Sequence, residues 1–238
     1  MPAATLEVAG LSAGYGQTHV LEDVSFSVPA GGRLSILGRN GMGKTTLMAS
    51  LMGLTRRYAG SVSVGGNDVT ALGTAARARA GLGFVPQTRE IFKGLTVEEN
   101  LFAGLKTRPR QAIGEAYELF PRLYERRRNL GSQLSGGEQQ MLATARTILG
   151  QPSVLLLDEP LEGLAPVICD MLMEAFTRLA ASSAMTILFV EQRLDSALGF
   201  AEDVIILERG RIVWSGRPAA LRSDAAVLER YVGVGGLH

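Results

Sequence analysis

Arg33-Leu34-Ser35-Ile36-Leu37-Gly38-Arg39-Asn40-Gly41-Met42-Gly43-Lys44-Thr45 is the stretch that decides the fold. Its first five residues read as a buried strand, and Lys44 to Met52 reads as a helix. Between them, Gly38 to Thr45 fits G-x-x-x-x-G-K-[ST] in full. Glycines let successive backbone N–H groups converge on phosphate oxygens, and the following helix turns its positive end to the same point. Lys44 is expected at the β/γ-phosphates and the Thr45 hydroxyl at Mg²⁺. A plain glycine turn would not require a lysine, and this chain otherwise prefers arginine, with 21 Arg against three Lys. Gly38, Arg39, Asn40, Gly41, Met42, Gly43, Lys44, Thr45 and Thr46 therefore form the expected ATP-phosphate site.

Val154-Leu155-Leu156-Leu157 and Thr186-Ile187-Leu188-Phe189-Val190 are continuous apolar runs of strand length. Parallel strands covered on both faces read this way. Helical patterns over Glu138 to Leu149, Val167 to Leu179 and Arg193 to Ala201 alternate with them, which implies a doubly wound parallel sheet. The N-terminal third instead shows short strands, Leu6 to Val8, Val20 to Val28 and Gly60 to Val64, broken by glycine turns. Between Gln87 and Gly131 the strand signal vanishes, and Thr96-Val97-Glu98-Glu99 offers a helix-starting capping box. Glu125-Arg126-Arg127-Arg128 reads as a solvated helix face rather than a binding patch.

The first of those runs ends in Asp158-Glu159. Strand alternation would point the two carboxylates in different directions, so one pair can do two jobs. Asp158 is expected to hold Mg²⁺ through water, and Glu159 to polarise the water that attacks the γ-phosphate. The pair therefore favours ATP hydrolysis over phosphoryl transfer to another acceptor.

Leu134-Ser135-Gly136-Gly137-Glu138-Gln139-Gln140 opens a helix, with Ser135 and Glu138 at capping-box spacing. Capping alone needs no glycines. Gly136 and Gly137 strip side chains from the helix start and leave bare N–H groups beside a hydroxyl, an anion site. One phosphate loop leaves this second site without a use inside the chain. It suits the γ-phosphate held by another subunit.

Composition sets the outer limits. At 238 residues, 46% apolar and 20% charged, the chain suits one compact α/β unit with a sizeable core. A net charge of +1 argues against a surface built for nucleic acid. One cysteine, Cys169, excludes an internal disulfide, and in Val167-Ile168-Cys169 it reads as a small core residue. No run of about 18 apolar residues exists, and Met1 to Glu7 lacks the charged start and apolar run of a signal peptide. The expectation is a cytoplasmic chain that meets membranes only through a partner.

Leu134-Ser135-Gly136-Gly137-Glu138-Gln139, together with the phosphate loop and the acidic strand Val154 to Pro160, resembles the signature set of ABC transporter ATPases. The likeness covers nearly the whole chain. It implies an α/β fold: a P-loop NTPase (RecA-like) core with a mostly parallel sheet, an N-terminal antiparallel β subdomain and an inserted helical subdomain. In that frame residues 1–238 are one ATP-binding domain, with 1–86 and 140–238 as core and 87–139 as the helical part. Gln87, in Phe84-Val85-Pro86-Gln87, resembles the family's Q-loop and would touch Mg²⁺ and the attacking water. Tyr15 stands like the family's adenine-stacking aromatic. Implied partners are a second ABC ATPase subunit, as homo- or heterodimer, two transmembrane permease subunits and a periplasmic substrate-binding protein. The implied place is the cytoplasmic face of the bacterial inner membrane.

Two positions depart from the common pattern. Ala165, in Leu161-Glu162-Gly163-Leu164-Ala165-Pro166, stands where most members carry an Asp. Gln192, in Val190-Glu191-Gln192, stands in place of the switch histidine, and neither His19 nor His238 can substitute. Gln192 can donate a hydrogen bond to the γ-phosphate but cannot carry a proton. Both departures resemble the second ATPase subunit of bacterial uptake systems for branched-chain and other hydrophobic amino acids; urea and amide systems share much of the pattern. An ABC ATPase acting on nucleic acid or ribosomes would show coiled-coil inserts, tandem halves or a basic stripe. A P-loop metabolic kinase would leave Ser135-Gly136-Gly137 unexplained.

Overall fold

The structure is a computed structural model that describes residues 2–181 and 185–233; His238 lies outside them. In chain order the elements are β1 (Leu6–Tyr15), β2 (Thr18–Val28), β3 (Arg33–Leu37), α1 (Lys44–Leu51), β4 (Arg56–Val64), β5 (Asn67–Asp68), α2 (Thr74–Arg79) and β6 (Leu82–Val85). Helices α3 (Val97–Gly104), α4 (Gly114–Leu119), α5 (Pro121–Glu125) and α6 (Gly136–Leu149) follow. The chain continues with β7 (Val154–Asp158), α7 (Pro166–Ala181), β8 (Thr186–Val190), α8 (Leu194–Phe200), β9 (Asp203–Glu208), β10 (Arg211–Gly216) and α9 (Pro218–Arg222).

Two sheets result. A four-stranded antiparallel sheet runs β2-β1-β4-β5, and a six-stranded sheet runs β10-β9-β3-β8-β7-β6. In the second, every pairing is parallel except that of β10 with β9. Successive residues of β7 serve opposite faces. Val154 and Leu156 join one apolar cluster, shared with the antiparallel sheet and α1, whereas Leu155 and Leu157 join the other, shared with α3, α6 and α7. Ile187/Phe189 against Leu188/Val190 in β8 repeat the division. A strand buried on both faces has no polar alternation, which is why these runs are continuously apolar.

The structure lengthens the N-terminal strands. β1 continues to Tyr15, β2 starts at Thr18 and β4 starts at Arg56, because register shifts along β1 let the ladders pass Gly10 and Gly14. No named strand occurs among the described residues between Gln87 and Gly131, where only a Thr96–Leu130 bridge forms. Thr96 and Glu99 make the expected reciprocal cap. The Glu125–Arg128 expectation needs correction. The helix ends at Glu125, and Arg126 turns back to Glu138 Oε1 at 3.2 Å, so this is not a helix face turned only to solvent. Cys169 is buried, as expected.

Buried Arg77 fixes the helix that follows the phosphate loop. Its guanidinium donates to the carbonyls of Ser50 and Leu51 at the end of α1, and to those of Thr70 and Leu72. Helix-end carbonyls lack the usual partner within the helix; the Gly53 N–H reaches that of Ser50 at 3.0 Å, and Arg77 adds a second donor there and a donor to that of Leu51.

Candidate functional site

Four adjacent parallel strands, β3, β8, β7 and β6, deliver the site from their carboxyl ends. β3 runs into the phosphate loop, β8 into Glu191-Gln192, β7 into Asp158-Glu159 and β6 into Pro86-Gln87. Residues distant in sequence thus meet where loops leave the sheet, the usual ligand position in open α/β folds. The resulting cavity of about 300 Å³ is lined by Val20, Asn40, Gly41, Gly43, Lys44, Thr45, Thr46, Gln87, Glu159, Glu162 and Gln192.

The loop requires its glycines. Gly38 has φ 141° and a side chain there would lie 2.3 Å from the Leu207 carbonyl; Gly43 has φ 104° and caps α1. Lys44 Nζ donates to the carbonyls of Gly38 (2.7 Å) and Arg39 (3.1 Å) and lies 3.6 Å from Glu159 Oε1. Gly38, Arg39 and Met42 do not line this cavity. Arg39 borders a neighbouring one with Glu191 and Gln192, and the Met42 carbonyl accepts from Gly210 at 3.0 Å, pinning the loop to the β9–β10 turn.

Asp158 and Glu159 do face different ways, but strand alternation is not the reason. Asp158 is the last residue of β7, whereas Glu159 has left the strand at φ 47°, a backbone region that non-glycine residues seldom occupy. Asp158 Oδ1 accepts from the Thr45 hydroxyl at 3.3 Å. Its Oδ2 is buried without a hydrogen-bond partner among the described residues, and burial pushes the carboxyl up to about 6. A buried carboxylate oxygen with an open lone pair beside a threonine hydroxyl fits a hard divalent cation such as Mg²⁺.

Glu159 gathers the rest. Besides Lys44, its Oε2 accepts from Gln192 Nε2 at 2.7 Å and from Gln87 Nε2 at 3.4 Å. Gln87 Nε2 also donates to Glu162. Tyr15, 52% exposed, borders an adjoining cavity with Thr45, Gln87 and Asp158.

Ser135, Gly136, Gly137 and Glu138 do not line the phosphate cavity. Ser135 caps α6 and Glu138 returns the bond, the full capping box. Gly137 has a second reason to be glycine: a side chain there would lie 2.8 Å from Ile168 of α7. Burial pushes the Glu138 carboxyl upward, but bonds from Ser135, Arg122 and Arg126 outweigh it and hold it below its ordinary value. Val20, Glu162 and Glu191 were not singled out by the sequence. Glu162 alone had a signal, as a carboxylate three residues past Glu159, and nothing local tied it to Gln87.

The fold and this cavity define a P-loop nucleotide-binding cassette with a carboxylate pair at the strand end. Residues 21–162 match the family model described as ABC transporter. The chain belongs to the ABC transporter family, as an ATP-binding subunit that hydrolyses ATP in support of transport. It is 39% identical, over 92% of its length and 95% of the relative's, to the high-affinity branched-chain amino acid transport ATP-binding protein BraG of Pseudomonas aeruginosa. It is 33% identical, over 97% of its length and 98% of the relative's, to the lipopolysaccharide export system ATP-binding protein LptB of Escherichia coli. Among solved structures, an ATP-binding cassette of an ABC transporter in its ADP conformation shares 25% identity with a TM-score of 0.82, covering 98% of this chain and 99% of that one. A nucleotide-free cassette at 24% identity gives 0.84, with coverage of 98% and 100%. Among the described residues no helix is long and apolar enough to cross a membrane, and ATPase subunits of this family work with transmembrane permease components.

Proposed function

We propose that this chain energises uptake of branched-chain or other hydrophobic amino acids, as one of two ATPase subunits on the cytoplasmic face of a bacterial inner membrane. The observation that carries this reading is Gln192 on Glu159 together with Ala165 in the following loop, the pair of departures that resembles that branch of the family. The 39% identity to BraG, whose name specifies branched-chain amino acid transport, supports it. The assembly is a homo- or heterodimer of ATPase subunits, two permease subunits and a periplasmic binding protein. Residues 87–139 form the helical subdomain, and 1–86 with 140–238 form the core.

In the proposed site, Gly38 to Thr46 bind the phosphates, with Lys44 as their cation, and Tyr15 stacks on the adenine. Thr45, Asp158 and Gln87 hold Mg²⁺, which supplies charge neutralisation at the β- and γ-phosphates. Glu159 polarises the attacking water. Gln192 donates to the γ-phosphate without carrying a proton. Ser135 to Glu138 present the helix start of α6 to the nucleotide of the other subunit.

Uptake of labelled leucine, phenylalanine and urea by cells lacking this gene tests the substrate. Loss of leucine or phenylalanine uptake, restored by the wild-type gene but not by its Lys44→Ala form, is expected. Intact amino acid uptake with lost urea uptake moves the assignment to the urea and amide systems.

A further inference from the structure

We infer that Glu162 is a positioning residue for hydrolysis, holding the Gln87 amide in register with Glu159. The inference rests on the proposed role of the Glu159 site and names a further member of it. Gln87 Nε2 carries two N–H groups and is shared between two carboxylates, Glu159 Oε2 at 3.4 Å and Glu162 Oε2. An ionised carboxylate only accepts, so both neighbours demand the NH₂ end of the amide, and the Gln87 carbonyl is turned away from them. With Glu159 alone, at 3.4 Å, the amide would be weakly held. Glu162 supplies the closer partner.

The chain explains why Glu162 can reach. Glu159 leaves β7 at φ 47°, the Glu162 N–H donates to the Glu159 carbonyl at 3.2 Å, and Gly163 follows at φ 66°. The turn folds back on itself and returns Glu162 to the wall of the cavity. Glu162 is exposed and has no contact with Lys44 or Thr45 among the described hydrogen bonds and ion pairs, so it acts through Gln87.

Two measurements test this. In ¹⁵N spectra of the purified full chain, with the Gln87 side-chain amide assigned by Gln87→Asn, Glu162→Ala should shift that amide's resonances while most backbone peaks stay in place. An unmoved Gln87 amide overturns the inference. In the assembled transporter, Glu162→Ala should lower kcat about tenfold, the worth of one hydrogen bond to a charged group. KM and the affinity for an ATP analogue should stay within about twofold, the mark of an interaction used in the transition state. Glu162→Gln keeps an acceptor oxygen and should recover most of the loss. In a Gln87→Ala background the same substitution should cost almost nothing further. A full additional loss there, or wild-type kcat in Glu162→Ala, contradicts the positioning role. Lys44→Ala run alongside separates the cases: if it still binds ATP tightly, the site assignment itself has failed.

Discussion

Lys44 is 4% exposed and has three acceptors around its ammonium, the Gly38 and Arg39 carbonyls and Glu159. Its charge is held in place by the loop that curls round it. Lys44→Ala should weaken ATP binding by about 100-fold or more, because the phosphates lose their cation in a partly desolvated site. Titration with a fluorescent ATP analogue reads the loss, and circular dichroism should show the fold intact. Tight binding by the folded variant would remove the phosphate-loop assignment. Glu191 gives a pH prediction. Burial raises its pKa above the ordinary 4.5, despite backbone bonds from Arg193 and Gln192, and its Oε2 has no partner among the described residues. A carboxyl whose pKa is higher folded than unfolded favours folding when protonated. That contribution is full below about 4.5 and lost as pH rises through the folded value. Glu191→Gln keeps an acceptor for the two N–H groups and removes the buried charge. It should melt a few degrees above the wild type at pH 7 to 8, with the gap closing toward pH 4. A constant gap across that range would show that charge is not the cause.

At the scale of elements, α7 shows what one departure costs. Ala165 directly precedes Pro166, and its carbonyl accepts from Ile168 (2.9 Å) and Cys169 (3.1 Å), which places it at the N-cap without a capping side chain. Ala165→Asp should stabilise the chain by about 1 kcal/mol, raising Tm by about 2–4 °C, measured by calorimetry. No gain would mean that the Asp cannot reach the first-turn N–H groups. The legibility of the elements follows from their environment. β7 and β8 are buried on both faces, so their apolar runs were plain in the sequence, as was the phosphate loop between strand and helix. β9 carries only four apolar residues between charged ends, a run too short to separate strand from helix by periodicity. β10, an edge strand with alternating exposure, gave a weaker signal. Gln87 and Glu159 were legible as motif positions. The bond from Gln87 to Glu162 was not, because it links residues 75 positions apart through sheet order alone.

For the whole molecule, the proposed arrangement has Ser135–Glu138, which do not line the phosphate cavity, complete the ATP site of a second subunit. If that subunit carries His and Asp where this chain has Gln192 and Ala165, the two sites are chemically unequal. The site on this chain's phosphate loop lacks the histidine, and the other faces Ala165. Hydrolysis should then be slow for this chain alone, faster with the second ATPase subunit and fastest in the complete transporter. Equal rates in the three preparations would contradict the arrangement. The central claim is that Glu159, gripped by Lys44, Gln192 and Gln87, polarises the water that cleaves ATP. Glu159→Gln in the assembled transporter tests it most directly, by following the fate of bound radiolabelled ATP. The account predicts retention of intact ATP and turnover reduced by about 100-fold or more; turnover at the wild-type rate would contradict it.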